Sequence, residues 1–166
     1  MHKARGAAGR RYRVDWLRFL IAHESTLLVQ FQVSGVLPPG SSQRYMVRRE
    51  GPVWLQEGYA QVFANTVATT ATEATYRDIM VSRYKGSPLP DLATLEERRA
   101  LDVSKQDVYR AGAIATADLI EAKGYAAMGQ LFEALGEGIP WETAFENAFG
   151  QSPADFYADF RKRPRT

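Results

Sequence analysis

The sequence predicts a mostly α-helical fold, a compact multi-helix domain. Apolar residues recur at three- and four-residue steps along most of the chain, which is the spacing of helices that bury one face. Glycines and prolines interrupt these segments at the points where helices are expected to end. The chain has 166 residues, of which 45% are hydrophobic, so it is long enough to bury one core. It has no cysteine, which excludes disulfides and thiolate metal sites.

Three helices are predicted in the first half of the chain. The first runs from Val14 to Ser34 and ends at Gly35 and the letters LPPG. Its apolar face is predicted to consist of Leu17, Leu20, Ile21, Leu27, Leu28 and Phe31. After a polar connection at 41–51, the second helix begins near Pro52. Its inward residues are predicted to be Trp54, Leu55, Tyr59, Val62 and Phe63. The third helix is predicted from Glu73 to Tyr84, with Tyr76, Ile79 and Met80 on its apolar side.

The second half begins with a proline-rich break that holds a short turn of helix at most. Residues 105–123 are alanine-rich and predict a helix closed by Gly124, and 126–135 predict another. The inward residues of the 105–123 helix are predicted to be Val108, Ala111, Ile114, Ala115 and Leu119. Pro140 opens the next helix and Gly150 stops it. Ser152, as N-cap, and Asp155, as its partner in a capping box, start the last helix, which runs to about Arg161. Trp54, Trp141, Phe145, Phe149 and Phe156 are expected in the core.

Charge is nearly balanced at +2 but concentrated at the two ends. The cations are Lys3, Arg5, Arg10, Arg11 and Arg13 at the start, and Arg161, Lys162, Arg163 and Arg165 at the end. We interpret residues 1–13 and 163–166 as solvated tails around a single domain at 14–162. Few aromatic residues accompany the cations and no nucleic-acid-binding motif does, so nucleic acid is not the expected partner.

The letters AHESTLLVQ at 22–30 carry the first chemical signal. In the zinc-peptidase motif H-E-x-x-H, two histidines one helical turn apart bind the metal and the glutamate activates water. His23 and Glu24 supply the first two letters, but Leu27 stands where the second histidine would be. On the next predicted helix the letters WLQEGYAQ offer Glu57 as a further metal ligand.

These two segments together resemble the gluzincin, or peptidase MA-like, zinc metallopeptidases. In that family the glutamate of W-L-x-E-G-x-A is the third zinc ligand, and the resemblance assigns that role to Glu57. The later segments LPDLATL, VYRAGAIATADLIEAKG and FEALGEGIPWETAFENAFGQSPADFYADF are similar to the helical C-terminal half of the family. The resemblance covers most of 15–160 and implies the helical core of a zincin.

The chain departs from the family pattern in three ways. Leu27 has no lone pair to offer a metal. Gln61 stands where the family often has an acidic residue that orients a ligating histidine. The β-sheet that usually precedes the motif helix, and that aligns peptide substrates by strand pairing, has no sequence from which to form before residue 14, so the sheet is expected to be missing.

Two other residues bear on the site. Tyr109 lies on the helix where the family sometimes has an oxyanion-stabilising tyrosine, and the alternative is an ordinary core tyrosine. His2 is the only other histidine and is not expected to replace the missing ligand because it lies in the basic tail. Without a partner, His23 and Glu57 would be ordinary helix residues or a buried ion pair.

We consider three functional hypotheses. The first is a pseudo-peptidase that binds zinc weakly or not at all and acts by binding a peptide or protein. The second is an active peptidase with zinc on His23, Glu57 and an unrecognised ligand, with Glu24 as general base. The third is a basic binding module that uses the arginine-rich ends. No signal peptide or membrane span is predicted, so a cytoplasmic protein is expected for the chain as written. Oligomeric state and peptide preference stay open.

Overall fold

The computed structural model describes residues 15–35, 51–69, 72–84 and 88–162. Within these four ranges there are seven α-helices and one 3-10 helix, and no strand. The predicted mostly helical fold is therefore confirmed. The predicted tails and almost all of the connection at 41–51 lie outside the described ranges.

The helix bounds follow the predicted breaks closely. In chain order the helices are α1 (Trp16–Val33), α2 (Val53–Ala68), α3 (Glu73–Ser82), α4 (Ala100–Val103), α5 (Lys105–Gly136), α6 (Trp141–Phe149) and α7 (Pro153–Lys162). The 3-10 helix, Leu92–Leu95, precedes α4. The predicted N-cap of α7 is confirmed, since the Asp155 amide donates to Ser152 Oγ, and the Asp155 carboxylate accepts from the Ser152 hydroxyl rather than from its backbone amide as in a capping box.

Helix α5 consists of the two predicted helices joined at a bend. The bend lies at Gly124, whose φ of 78° is not helical. Because a side chain disfavours positive φ, glycine is the residue best suited to this position. The predicted break is correct, and it directs the second half of α5 away from the axis of the first.

The core forms mainly between α2, α5, α6 and α7. The five aromatic residues predicted for the core are buried there: Trp54, Trp141, Phe145, Phe149 and Phe156. All five inward residues predicted for the first half of α5 are buried too. Tyr157 binds both sides of this core, since its hydroxyl accepts from Trp54 Nε1 at 3.2 Å and donates to Glu96 Oε1 at 2.8 Å.

Helices α2 and α5 cross at a pair of glycines. A Cβ on Gly58 would lie 2.3 Å from the carbonyl oxygen of Gly112, and a Cβ on Gly112 would lie 2.2 Å from the carbonyl oxygen of Trp54. Neither position can take a side chain without separating the helices. Gly58 directly follows Glu57, and Gly112 follows Tyr109 by one turn, so this crossing brings those two residues to the same level.

The predicted apolar face of α1 is wrong for four of its six residues, while Leu27 and Phe31 are half-buried. Leu17, Leu20, Ile21 and Leu28 are 67, 55, 58 and 63% exposed. The buried residues of α1 and its C-cap are instead Ala22, His23, Thr26, Gln30 and Ser34. Phe63 on α2 was also predicted to point inward and is 39% exposed.

The physical reason is that α1 carries apolar residues on most of its circumference, so periodicity alone does not decide which side packs. Small and amide side chains allow a close approach to α2 and α5, and each finds a backbone partner. Thr26 Oγ1 donates to the Ala22 carbonyl, Ser34 Oγ to the Gln30 carbonyl, and Gln30 Nε2 to the Gln56 carbonyl at 3.3 Å. No helix in the described ranges is long and apolar enough to span a lipid bilayer.

Candidate functional site

The inward face of α1 brings His23 against Glu57 of α2. Their side chains are only 8% and 10% exposed, and His23 Nε2 lies 3.2 Å from Glu57 Oε2. This distance qualifies as an ion pair, but no hydrogen bond joins the two side chains, and Glu57 Oε2 has no hydrogen-bond partner among the described residues. His23 Nε2 and Glu57 Oε2 are therefore close together without a hydrogen bond between them, and each can offer a lone pair to a metal.

This separation suits an ordinary ion pair, and it also suits two neighbouring ligands of a single metal ion. Two ligand atoms about 2 Å from a tetrahedral zinc lie about 3.3 Å from each other. His23 and Glu57 thus fit two corners of a zinc site.

The remaining donors of a catalytic zinc site are not found in the described ranges. Leu27, one turn after His23, is half-buried and has no atom that can bind a metal. No three residues among the described histidines, aspartates and glutamates come together as a metal-binding group. His23 Nδ1 is buried without a hydrogen-bond partner, so the acceptor that normally orients a ligating histidine is also lacking. His2 lies outside the described residues. The residues present therefore do not fit the zinc site of a catalytic gluzincin.

The other two predicted residues lie beside this pair. The ring of Tyr109 contacts the His23 ring edge-on, with 6.1 Å between centroids. Burial raises the pKa of Tyr109, and the negative charges of Glu57 and Glu24 raise it further. The structure thus brings together all four residues singled out from the sequence: His23, Glu24, Glu57 and Tyr109. At neutral pH the Tyr109 phenol keeps its proton and can donate a hydrogen bond.

No hydrogen bond joins Gln61 to His23. Its side-chain oxygen accepts from the Tyr76 hydroxyl at 2.8 Å, which ties α2 to α3. Glu24 is exposed and lies at the edge of the site.

A cleft of about 400 Å³ opens beside the His23 ring. We call it the aromatic–arginine cleft, and it is lined by Trp16, Phe19, Gln61, Tyr76, Met80, Arg83, Gln106, Tyr109 and Arg110. Phe19 stacks on His23 with 6.2 Å between centroids, so the cleft and the His23–Glu57 pair share a wall. Neither Arg83 nor Arg110 forms an ion pair with any described carboxylate.

Several of these residues have no signal in the motifs. Arg83 directly follows α3 and Arg110 lies on α5, so the two meet only through the tertiary fold. Thr26, which no motif singles out, is buried on the same face of α1 as His23. A repeat of polar residues at 23, 26, 30 and 34 is the one feature of the sequence that indicates this face.

Two of the cations at the basic C-terminal end are engaged with acidic residues. Arg161 donates to Asp91 Oδ2 at 2.8 Å and Lys162 to Asp159 Oδ1 at 3.1 Å. The remaining cations of the two ends lie outside the described ranges.

Comparison of the chain with protein-family models, with curated proteins and with solved structures finds no match. The resemblance to gluzincins consequently rests on the motif residues alone.

Proposed function

We propose that this chain is a gluzincin-like domain that has lost catalytic zinc and acts by binding a peptide. The observation that carries the proposal is Leu27, an apolar residue at the position of a metal ligand beside the close pair His23 and Glu57. Two protein ligands hold zinc more weakly than the three of a catalytic site. The domain would then retain the shape of a peptide site without the metal that activates water.

The aromatic–arginine cleft supports a peptide as the ligand. Trp16, Phe19 and Tyr76 offer aromatic surface for an apolar side chain, and the Tyr109 hydroxyl can donate to a peptide carbonyl. Arg83 and Arg110 supply positive charge that is not neutralised by a described partner. Because a guanidinium binds a carboxylate through two hydrogen bonds, a peptide with an acidic side chain is the favoured ligand.

Two matched peptides test the binding claim. Calorimetric titration is expected to show an acetylated phenylalanyl-glutamate dipeptide binding about tenfold more tightly than its glutamine counterpart, since the charge-assisted bonds contribute about 1.4 kcal/mol. Arg110→Gln should remove that difference. Arg99→Gln, which changes an exposed arginine outside the cleft, should leave it intact. Equal binding of the two peptides to the unmodified protein would contradict the proposed ligand.

A second candidate is a peptidase that completes its zinc site with a ligand we do not recognise. It is favoured by the 3.2 Å separation of His23 Nε2 and Glu57 Oε2 without a hydrogen bond, which suits shared metal ligation. Glu24 would then act as general base toward a metal-bound water. Hydrolysis of a peptide by the unmodified chain, abolished by Glu24→Gln, would establish this candidate in place of the first.

A further inference from the structure

The aromatic–arginine cleft lies between two helices that share a common floor. Helix α1 packs on α2 and α5, and α3 packs on the same two helices. Trp16 and Phe19 of α1 form one wall of the cleft, and residues of α3 together with Arg83 form the other. Arg110 lies on α5, between the two walls. The aromatic wall therefore stands on the α1 side, and one of the two positive charges stands on the α3 side.

A hydrogen bond between α5 and the end of α3 holds the two arginines near each other. Tyr84, which follows Arg83, donates to Asp107 Oδ1 at 3.0 Å, and Asp107 lies one turn before Arg110. Asp107 forms no ion pair with either arginine. None of the described residues that line the cleft is acidic. Two positive charges thus face the same cleft without a lining acid to neutralise them.

Two such arginines favour a ligand with two negative charges, because each guanidinium can bind one carboxylate through paired hydrogen bonds. A peptide that ends in an acidic residue carries two carboxylates on that residue, one on its side chain and one at its terminus. A peptide that continues past the acidic residue carries only one there. The volume of about 400 Å³ is near the lower end of the range for ligand sites, about 300–1,000 Å³, which suits the end of a chain better than a long segment.

We propose that the aromatic–arginine cleft binds the carboxyl-terminal residue of an acidic peptide, with Arg110 on its side-chain carboxylate and Arg83 on its terminal carboxylate. The assignment follows burial. Arg110 is half-buried on α5, where a side chain that enters the cleft would reach it, whereas Arg83 is exposed, at the level of the peptide main chain. The preceding residue would lie against Trp16 and Phe19. This inference rests on the peptide-binding function proposed above and adds which end of the peptide is recognised.

Three acetylated peptides with the same phenylalanyl-glutamate core separate the terminal carboxylate from net charge. The first ends in glutamate with a free carboxylate, the second is its carboxyl amide, and the third continues with two glycines. The third peptide has the net charge of the first, but its terminal carboxylate is displaced. In isothermal titration calorimetry the second and third are each expected to bind about fivefold more weakly than the first, a modest loss because Arg83 is exposed to solvent.

Two variants assign the two carboxylates. Arg83→Gln should remove the effect of amidation and keep the preference for glutamate over glutamine, whereas Arg110→Gln should do the reverse. The end of α3 is retained in Arg83→Gln, because the backbone amide of residue 83 forms the cap by donating to the carbonyls of Met80 and Val81. Arg99→Gln, outside the cleft, should change neither effect. Far-ultraviolet circular dichroism checks that each variant is folded.

Equal affinity of the three peptides, with the glutamate preference retained, would overturn this inference and leave the peptide proposal standing. The acidic side chain would then be recognised within a chain and not at its end. An amidation effect that persists in Arg83→Gln would also overturn it, because the terminal carboxylate would be bound elsewhere. Absence of both the amidation effect and the glutamate preference in the unmodified protein would overturn the peptide proposal as well.

Discussion

In α6 and α7 the largest apolar side chains face the core, whereas in α1 they face outward. Trp141, Phe145 and Phe160 are at most 3% exposed, while Trp16 and Leu17 on α1 are 73% and 67% exposed. The two regions have similar lengths of helix, 19 and 18 residues, although α6 and α7 contain six Phe, Tyr and Trp residues and α1 contains three. The difference is that α6 and α7 are held by apolar burial, and α1 is held by a polar face that contacts α2 and α5.

That contrast shows that polar side chains of α1, and not its exposed leucines, form the contact with α2 and α5. Burying His23, Gln30 and the partner carboxylate of Glu57 stabilises a fold less than burying leucines in their place. The peptide-binding function proposed above would account for a helix that exposes its leucines and buries these groups. His23, which lies against Glu57, and the buried side chain of Gln30 both lie on the inward face of α1.

The largest expected effect separates the two regions by truncation. Phe145→Ala removes a fully buried ring from α6 and should lower the free energy of unfolding by about 3–5 kcal/mol. Leu28→Ala removes an exposed side chain from α1 and should change it by less than about 0.5 kcal/mol. Urea denaturation monitored by circular dichroism measures both. Similar losses would mean that the outer side of α1 is covered in solution.

A smaller effect is expected at the junction of the two regions. A Cβ on Gly136 would lie 2.1 Å from the Val33 carbonyl oxygen, so Gly136→Ala must push the end of α1 away from α5. The expected loss of stability is about 1–3 kcal/mol. Gly129→Ala on the same helix is the matched control, and it should stabilise by about 0.5–1 kcal/mol because its Cβ meets open space. Thermal melting of both variants measures these changes. A Gly136→Ala variant as stable as the unmodified protein would contradict the close approach of α1 to α5 at Gly136.

Alkaline pH should destabilise the core region through its buried tyrosines, whereas α1 contains no tyrosine of its own and contacts one, Tyr109. Burial raises the pKa of Tyr157, and the Glu96 charge and hydrogen bond raise it further. Since the folded pKa lies above the unfolded value of about 10, the stabilisation is complete below about pH 10 and is lost as pH rises beyond it.

Tyr157→Phe tests this origin of the alkaline sensitivity. It should cost about 1–2 kcal/mol at pH 7, because Trp54 Nε1 loses its acceptor, and should reduce the further loss of stability above pH 10. Denaturant unfolding at pH 7, 10 and 11 measures the change. An alkaline loss equal to that of the unmodified protein would assign the effect to other tyrosines, such as Tyr84 beside Asp107.

The helices could be predicted from sequence because their limits are local. Ser152 with Asp155, Gly124 and Pro140 fix helix starts and a bend through their own backbone preferences. The packed side of α1 could not be predicted, because apolar residues surround most of that helix. Which side is buried depends on close contact with α2 and α5. Phe63 failed for the same reason.

In the candidate site, too, features that depend on short motifs could be predicted and features that depend on tertiary contacts could not. The proximity of His23 and Glu57 was expected from two motifs of fixed spacing. Arg83 and Arg110 could not be expected, because each depends on helices far apart in the sequence. The role of Gly58 in the α2–α5 crossing could not be predicted from the letters EGYA either, because it depends on contact with Gly112 on another helix.

The central proposal is that this chain is a gluzincin-like domain that has lost catalytic zinc. Its most direct test is the zinc content of the purified protein after dialysis against trace zinc, measured by inductively coupled plasma mass spectrometry. The account predicts far less than one equivalent for the unmodified chain. Leu27→His, which restores a donor one turn after His23, should take up about one equivalent, and adding Glu57→Gln should remove it. Near-stoichiometric zinc in the unmodified chain would contradict the account and would identify a working site with a further ligand.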